Sequence, residues 1–97
     1  MEYRIENDTL SIKLNGELNS YNSEDVEREI DEAIAKKGFS KVRIDMNDLV
    51  YISSAGLRII VRVKQQFDDT VLTNVPDVVY DVFDMVGFPN LMTIERK

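Results

Sequence analysis

The stretch that most constrains this chain is Asp48 to Phe67, DLVYISSAGLRIIVRVKQQF, in which a β-rich run meets two serines and then a long apolar-periodic segment. Ser53 and Ser54 therefore stand where a helix begins. A serine there can accept a hydrogen bond from a free backbone N–H of the first turn, a structural role that needs no further function. At helical spacing, Leu57, Ile59, Ile60, Val61, Val63 and Phe67 spread over a wide arc, while Ser54, Arg58, Arg62, Gln65 and Gln66 share the remaining face. Ser54 is thus expected to face water. A phosphate on it would lie at the positive end of the helix dipole, about one turn from Arg58.

Composition narrows the chemistry. There is no cysteine and no histidine among the 97 residues, which excludes disulfides, thiol nucleophiles, thiolate metal sites and a Ser-His-Asp triad. A net charge of −6 without a long basic run argues against nucleic acid or an anionic membrane as the main partner. No segment approaches the roughly 20 apolar residues of a membrane span, and Met1-Glu2-Tyr3-Arg4 lacks the apolar core of a signal peptide, so a cytoplasmic location is expected. The length suits one small domain over residues 1–97.

Before the serine stretch, Tyr3 and Ile5 alternate with polar neighbours, Asn7-Asp8 marks a turn, and Leu10, Ile12 and Leu14 resume the alternation, which predicts a β-hairpin. Asn15-Gly16-Glu17-Leu18-Asn19-Ser20 breaks that pattern. A helix is expected from Asn22 or Ser23 to Lys37, with Val26, Ile30, Ala33 and Ile34 buried, Gly38 just past its end and Phe39 folding back on it. Its acidic run, Glu24 to Glu29, is either a solvated face or part of a partner surface. Val42 and Ile44 belong to a short strand, and Asn47-Asp48 is expected to turn the chain toward Val50-Tyr51-Ile52.

After Phe67, Thr70 to Thr73 is a compact strand. Asn74-Val75-Pro76 starts a third helix with Val78, Val79, Val82, Phe83 and Val86 as its apolar stripe, ended by Gly87 and Pro89. Leu91 to Ile94 forms a last edge strand. The order β-β-α-β-α-β-α-β implies an α/β domain whose crossovers place helices against the parallel part of a mixed sheet.

Ser53-Ser54-Ala55-Gly56-Leu57 resembles the signature of the STAS domain, named for sulfate transporters and anti-sigma-factor antagonists, in which Asp-Ser-Ser-Gly-Leu or Asp-Ser-Thr-Gly-Leu opens a helix. Gly16-Glu17-Leu18-Asn19 is similar to the family's Gly-Glu-Leu-Asp, and Phe83 to Phe88 to its third-helix ending. The resemblance covers almost the whole chain and implies a mixed β-sheet with helices mainly on one side. It also implies anti-sigma-factor antagonism. The unmodified form would bind an anti-sigma factor, typically a serine kinase, and release a sigma factor; phosphorylation of the serine matching Ser54 would end binding.

Both family aspartates are replaced here, by Asn19 and Ser53. The resemblance further implies that Asp45, at a family strand end, converges with Asn19, Ser53 and Ser54. The chain would then be a kinase substrate, not an enzyme, acting as a monomer or weak dimer without a cofactor.

The partner-binding residues implied are Asn19, Ser53, Ser54, Gly56, Leu57, Arg58, Val61 and Arg62. Each has a plainer role: Asn19 a turn residue, Ser54 a first-turn serine, Arg58 and Arg62 the wet side of a helix, Val61 core. Ser53 is chemically able to take the phosphate in place of Ser54. Two other readings are an accessory STAS subunit of a transporter or signalling assembly that is never phosphorylated, favoured by the missing aspartates, and a small anion or nucleotide receptor using the helix N-terminus. The chain has neither Gly-x-x-x-x-Gly-Lys-Ser/Thr nor Gly-x-Gly-x-x-Gly to support the last.

Overall fold

In the computed structural model, which describes residues 1–97, strands β1 (Glu2–Glu6) and β2 (Thr9–Leu18) form the expected hairpin. Its turn is made by Asn7 and Asp8, both at positive φ, where short polar side chains are best tolerated. Helix α1 (Ser23–Ala35), strand β3 (Lys41–Ile52), helix α2 (Ser54–Gln66), strand β4 (Thr70–Val75), helix α3 (Asp77–Met85), a 3-10 turn (Phe88–Asn90) and strand β5 (Thr93–Arg96) follow. The five strands lie in sequence order, β1 antiparallel to β2 and every later pair parallel.

Alternation along the strands decides which face is covered. Leu10, Ile12 and Leu14 of β2, Val42, Ile44 and Met46 of β3 and Leu72 of β4 are buried in one core with Ile30 and Ala33 of α1, Ile59, Ile60 and Val63 of α2, and Val79 and Phe83 of α3. Their strand neighbours Ser11, Lys13, Arg43, Asp45, Val71 and Thr73 point the other way and stay partly exposed. All three helices thus cover the same side of the sheet, as the resemblance implies.

Strand β3 departs from the sequence expectation. Asn47-Asp48 does not turn the chain; the strand runs straight through it for 12 residues. Two register shifts against β2 explain the broken pattern: Lys13 and Asn15 pair with Asp45 and Asp48, and Gly16 and Glu17 pair with Leu49 and Tyr51, so β3 carries one extra residue at each place. The second bulge lies opposite Gly16, whose φ of +68° suits glycine. The Asn15 to Leu18 stretch therefore continues β2 to its end.

Smaller differences follow local chemistry. Helix α1 ends at Ala35, with Lys37 and Gly38 both at positive φ, and Phe39 packs on Phe67 at a ring separation of 5.0 Å, beyond the end of α2. Strand β4 extends to Val75, and the last strand begins later than expected, at Thr93, because Phe88–Asn90 coils into a 3-10 turn that stacks Phe88 on Phe83 at 5.1 Å. Val78 and Val86, expected in the core, are exposed.

Candidate functional site

The N-terminus of α2 is assembled from the ends of β2 and β3. The Ser53 N–H donates to Leu18 O at 2.8 Å, which ties the residue before the helix to the last residue of β2. Ser53 is the N-cap in extended geometry, and its Oγ accepts from the Gly56 N–H at 3.3 Å. Ser54 is the first helical residue. It is exposed, and its hydroxyl makes no hydrogen bond within the chain. The two serines therefore differ: one is engaged in holding the helix start and the other is free.

Gly56 is buried one step further in, where the helix meets the sheet. A Cβ there would stand 2.7 Å from Leu18 Cγ and 2.8 Å from Ile52 Cγ1. Gly56 thus lets α2 approach β2 and β3 and is not itself surface. Leu57 and Val61 are half-buried against the core, and Arg58 is exposed one turn after Ser54 with no ion-pair partner.

Asn19 organises the loop into α1. Its Oδ1 accepts from the N–H of Tyr21 at 2.9 Å and of Asn22 at 3.1 Å, while the Asn19 N–H donates to Asn22 Oδ1 at 2.9 Å and Asn22 Nδ2 donates to Glu17 O at 2.7 Å. This is the turn role that an Asx side chain performs. Through Leu18 it sits next to Ser53, so Asn19, Ser53 and Ser54 do share one end of the sheet. Asp45 does not join them. It pairs with Lys13 and Thr73, accepts from the Asn47 N–H and from Asn74 Nδ2, and is separated from Ile52 by roughly 20 Å of bulged strand.

Arg62 is drawn into the fold. Its Nη2 donates to Asp31 Oδ1 at 2.7 Å, and its Nε lies 2.9 Å from Glu27 Oε2, close enough for an ion pair but not aligned as a hydrogen bond. The Asp31 hydrogen bond, with the charges of Asp31 and Glu27, raises the guanidinium above its ordinary pKa against the opposing effect of burial. A groove of about 260 Å³ runs between α1 and α2, lined by Ser23, Glu24, Glu27, Ala55, Arg58, Ile59 and Arg62. One wall is acidic and the other basic, with Glu24 and Arg58 left unpaired.

Exposed apolar side chains at this end were not singled out by periodicity. Tyr21 is 95% exposed, and Val50 and Tyr51, next to the second bulge, also face solvent. The register shift at Val50 was the hidden signal, since an extra residue in a strand re-aims its neighbours. No three acidic side chains converge as metal ligands, and no helix is long and apolar enough to cross a membrane.

Comparison with known proteins agrees with this architecture. The STAS domain family model matches residues 1–97. BtrV of Bordetella bronchiseptica, named as an anti-sigma factor antagonist, is 36% identical over 88 residues, covering 87% of this chain and 75% of the relative. A Thermotoga maritima structure described as an anti-sigma factor antagonist superposes with a TM-score of 0.87 at 21% identity, over 99% of this chain and 86% of that one. SpoIIAA shares the fold in its unphosphorylated form (TM-score 0.75, 22% identity, 96% of this chain and 87% of that one) and, from Bacillus, in its phosphorylated form (0.67, 21%, 96% and 90%). The chain belongs to the STAS domain family, among the anti-sigma factor antagonists.

Proposed function

We propose that the unmodified chain binds an anti-sigma factor that is itself a serine kinase, so freeing a sigma factor, and that phosphorylation of Ser54 ends the binding. The observation that carries this reading is the contrast between the two serines. Ser53 Oγ is engaged with the Gly56 N–H, whereas Ser54 is exposed and unbonded at the first position of α2. A kinase can take Ser54 without opening the helix start.

The surroundings suit a docking surface. Tyr21, Val50 and Tyr51 are exposed at the same end of the sheet, and tyrosine is among the residues that most often anchor interfaces. A phosphate on Ser54 adds a charge of about −1.5 to −2. Within the molecule it is tolerated, because the helix N-terminus and Arg58 both favour an anion. In a desolvated interface between apolar anchors it is not, and a penalty of about 3 kcal/mol would weaken binding on the order of a hundredfold. The existence of SpoIIAA in a phosphorylated form with this fold supports a role of the same kind here. On this reading the protein is the substrate of the chemistry, works in the cytoplasm and needs no cofactor.

A second reading is an accessory STAS subunit that is never phosphorylated. It is favoured by Asn19 and Ser53, which leave both places of the family aspartates without a carboxylate. Site mapping separates the two: in chain purified from its own cells, fragmentation mass spectrometry is expected to find phosphate on Ser54. Phosphate on Ser53, or none under any growth condition, would contradict the first reading.

A further inference from the structure

Helix α3 carries more apolar surface than folding covers. Val79 and Phe83 are buried in the core. Val78 and Met85, at positions i and i+7, stand outside it, with Val82 half-buried between them at the edge of the core, and Val86 and, past the 3-10 turn, Leu91 add further apolar surface. Val78 is 61% exposed and Met85 83%, while Val86 and Leu91 are also exposed. Beside these residues runs an acidic row with the same spacing, Asp77, Asp81 and Asp84. Asp77 is taken up by Arg96 at 2.8 Å, but Asp81 and Asp84 are exposed and make no ion pair.

We infer that this face docks an amphipathic helix of another protein, one that presents an apolar seam flanked by a row of lysines or arginines. Charge selects this occupant over the alternatives. A second copy would bring the same acidic row against this one, in a chain whose net charge is already −6. An anionic lipid surface is repelled by the same carboxylates. A helix with a basic row satisfies both features, since α3 has the length of about two and a half turns and offers exposed Val78 and Met85 in line with the outer edge of Val82.

The placement gives the contact its meaning. Helices α2 and α3 both begin beyond the C-terminal ends of parallel strands, so Ser54 and Asp77 share one end of the sheet. Met85, Val86 and Leu91 lie at the other end, just before β5 begins. Most of this surface is therefore remote from the serine. A partner held there leaves the switch end open and can stay bound in either phosphorylation state. The inference does not depend on the proposed switch.

The test replaces Met85 with a photo-crosslinking residue in the full chain, expressed in its own cells, and sequences the crosslinked peptide. Position 85 is exposed, so folding is expected to be kept, and circular dichroism verifies it. The expected product is one peptide from a different protein, with apolar residues at i, i+4 and i+7 and lysine or arginine beside them. Its yield should fall about tenfold in Asp81→Lys/Asp84→Lys and stay unchanged in Ser54→Asp. Crosslinks to a second copy, to lipid, or scattered over abundant proteins, or a yield indifferent to the charge reversal, would overturn the inference.

Discussion

Gly56 and Leu18 are packed so closely that a Cβ on the glycine would stand 2.7 Å from Leu18 Cγ, and the other side of the same space is closed by Ile52 Cγ1 at 2.8 Å. Its backbone φ is not positive, so the requirement is for space and not for conformational freedom. Leu18 and Ile52 are both buried and have little room to move. In Gly56→Ala the gain in helix propensity is small, because the position lies in the first turn, and overpacking should dominate. We expect a net loss of roughly 1–2 kcal/mol by urea unfolding, with weakened partner binding because α2 is pushed off the sheet. An unchanged or raised midpoint would show that the helix seats differently.

The two serines should separate by stability alone. Ser53→Ala removes the side-chain acceptor for the Gly56 N–H, and at 3.3 Å the loss should be near the lower end for a cap, about 0.5–1 kcal/mol. Ser54→Ala removes no intramolecular hydrogen bond and should be within about 0.5 kcal/mol of wild type. Thermal melts of the two variants check this, and equal losses would contradict the assignment of the cap.

Much of this site was legible in the sequence, and the reasons are local. The serine pair, the helix phase and the outward position of Ser54 all follow from an apolar periodicity that a 13-residue helix expresses fully. The length of β3 was not legible. Its inward residues are Val42, Ile44 and Met46, then Leu49 after one inserted residue and Ile52 after a second, so alternation fails twice within one strand, and Asn47-Asp48 looks like a turn. Asn74 hides the end of β4 in the same way, sitting at φ 52° inside the strand. The apolar residues of α3 were visible, but sequence alone could not show that Val78 and Val86 are left outside the core.

Arg62 should act on stability more than on binding. It neutralises Glu27 and Asp31, which lie one turn apart on α1 and repel each other without it. Because the side chain is 34% exposed, solvent screening reduces the effect, and Arg62→Met is expected to lose about 1 kcal/mol at low salt and less at high salt. A double-mutant cycle with Asp31→Asn should show coupling between the two positions; purely additive losses would mean that the helices are held by packing alone.

Asp48 sets a pH dependence at the bulged part of the sheet. The Lys13 ammonium, paired with Asp48 at 3.3 Å, is the largest influence, followed by the hydrogen bond from Asn47, and together they hold the carboxyl below its ordinary value of 3.8. A carboxylate depressed in the folded state contributes stability that is present above the unfolded pKa and is lost as pH falls through the folded one. NMR titration should therefore find Asp48 ionising below 3.8 in wild type and closer to that value in Lys13→Met. No change on removing the lysine would contradict the pairing.

The most direct test of the switch is retention from native lysate by wild-type, Ser54→Ala and Ser54→Asp baits, quantified by mass spectrometry. The account predicts that the first two hold a kinase-like anti-sigma factor and that Ser54→Asp, which mimics the phosphate charge, largely loses it. If all three baits retain the same non-kinase assembly equally, Ser54 is a helix-start serine and the accessory-subunit reading replaces the switch.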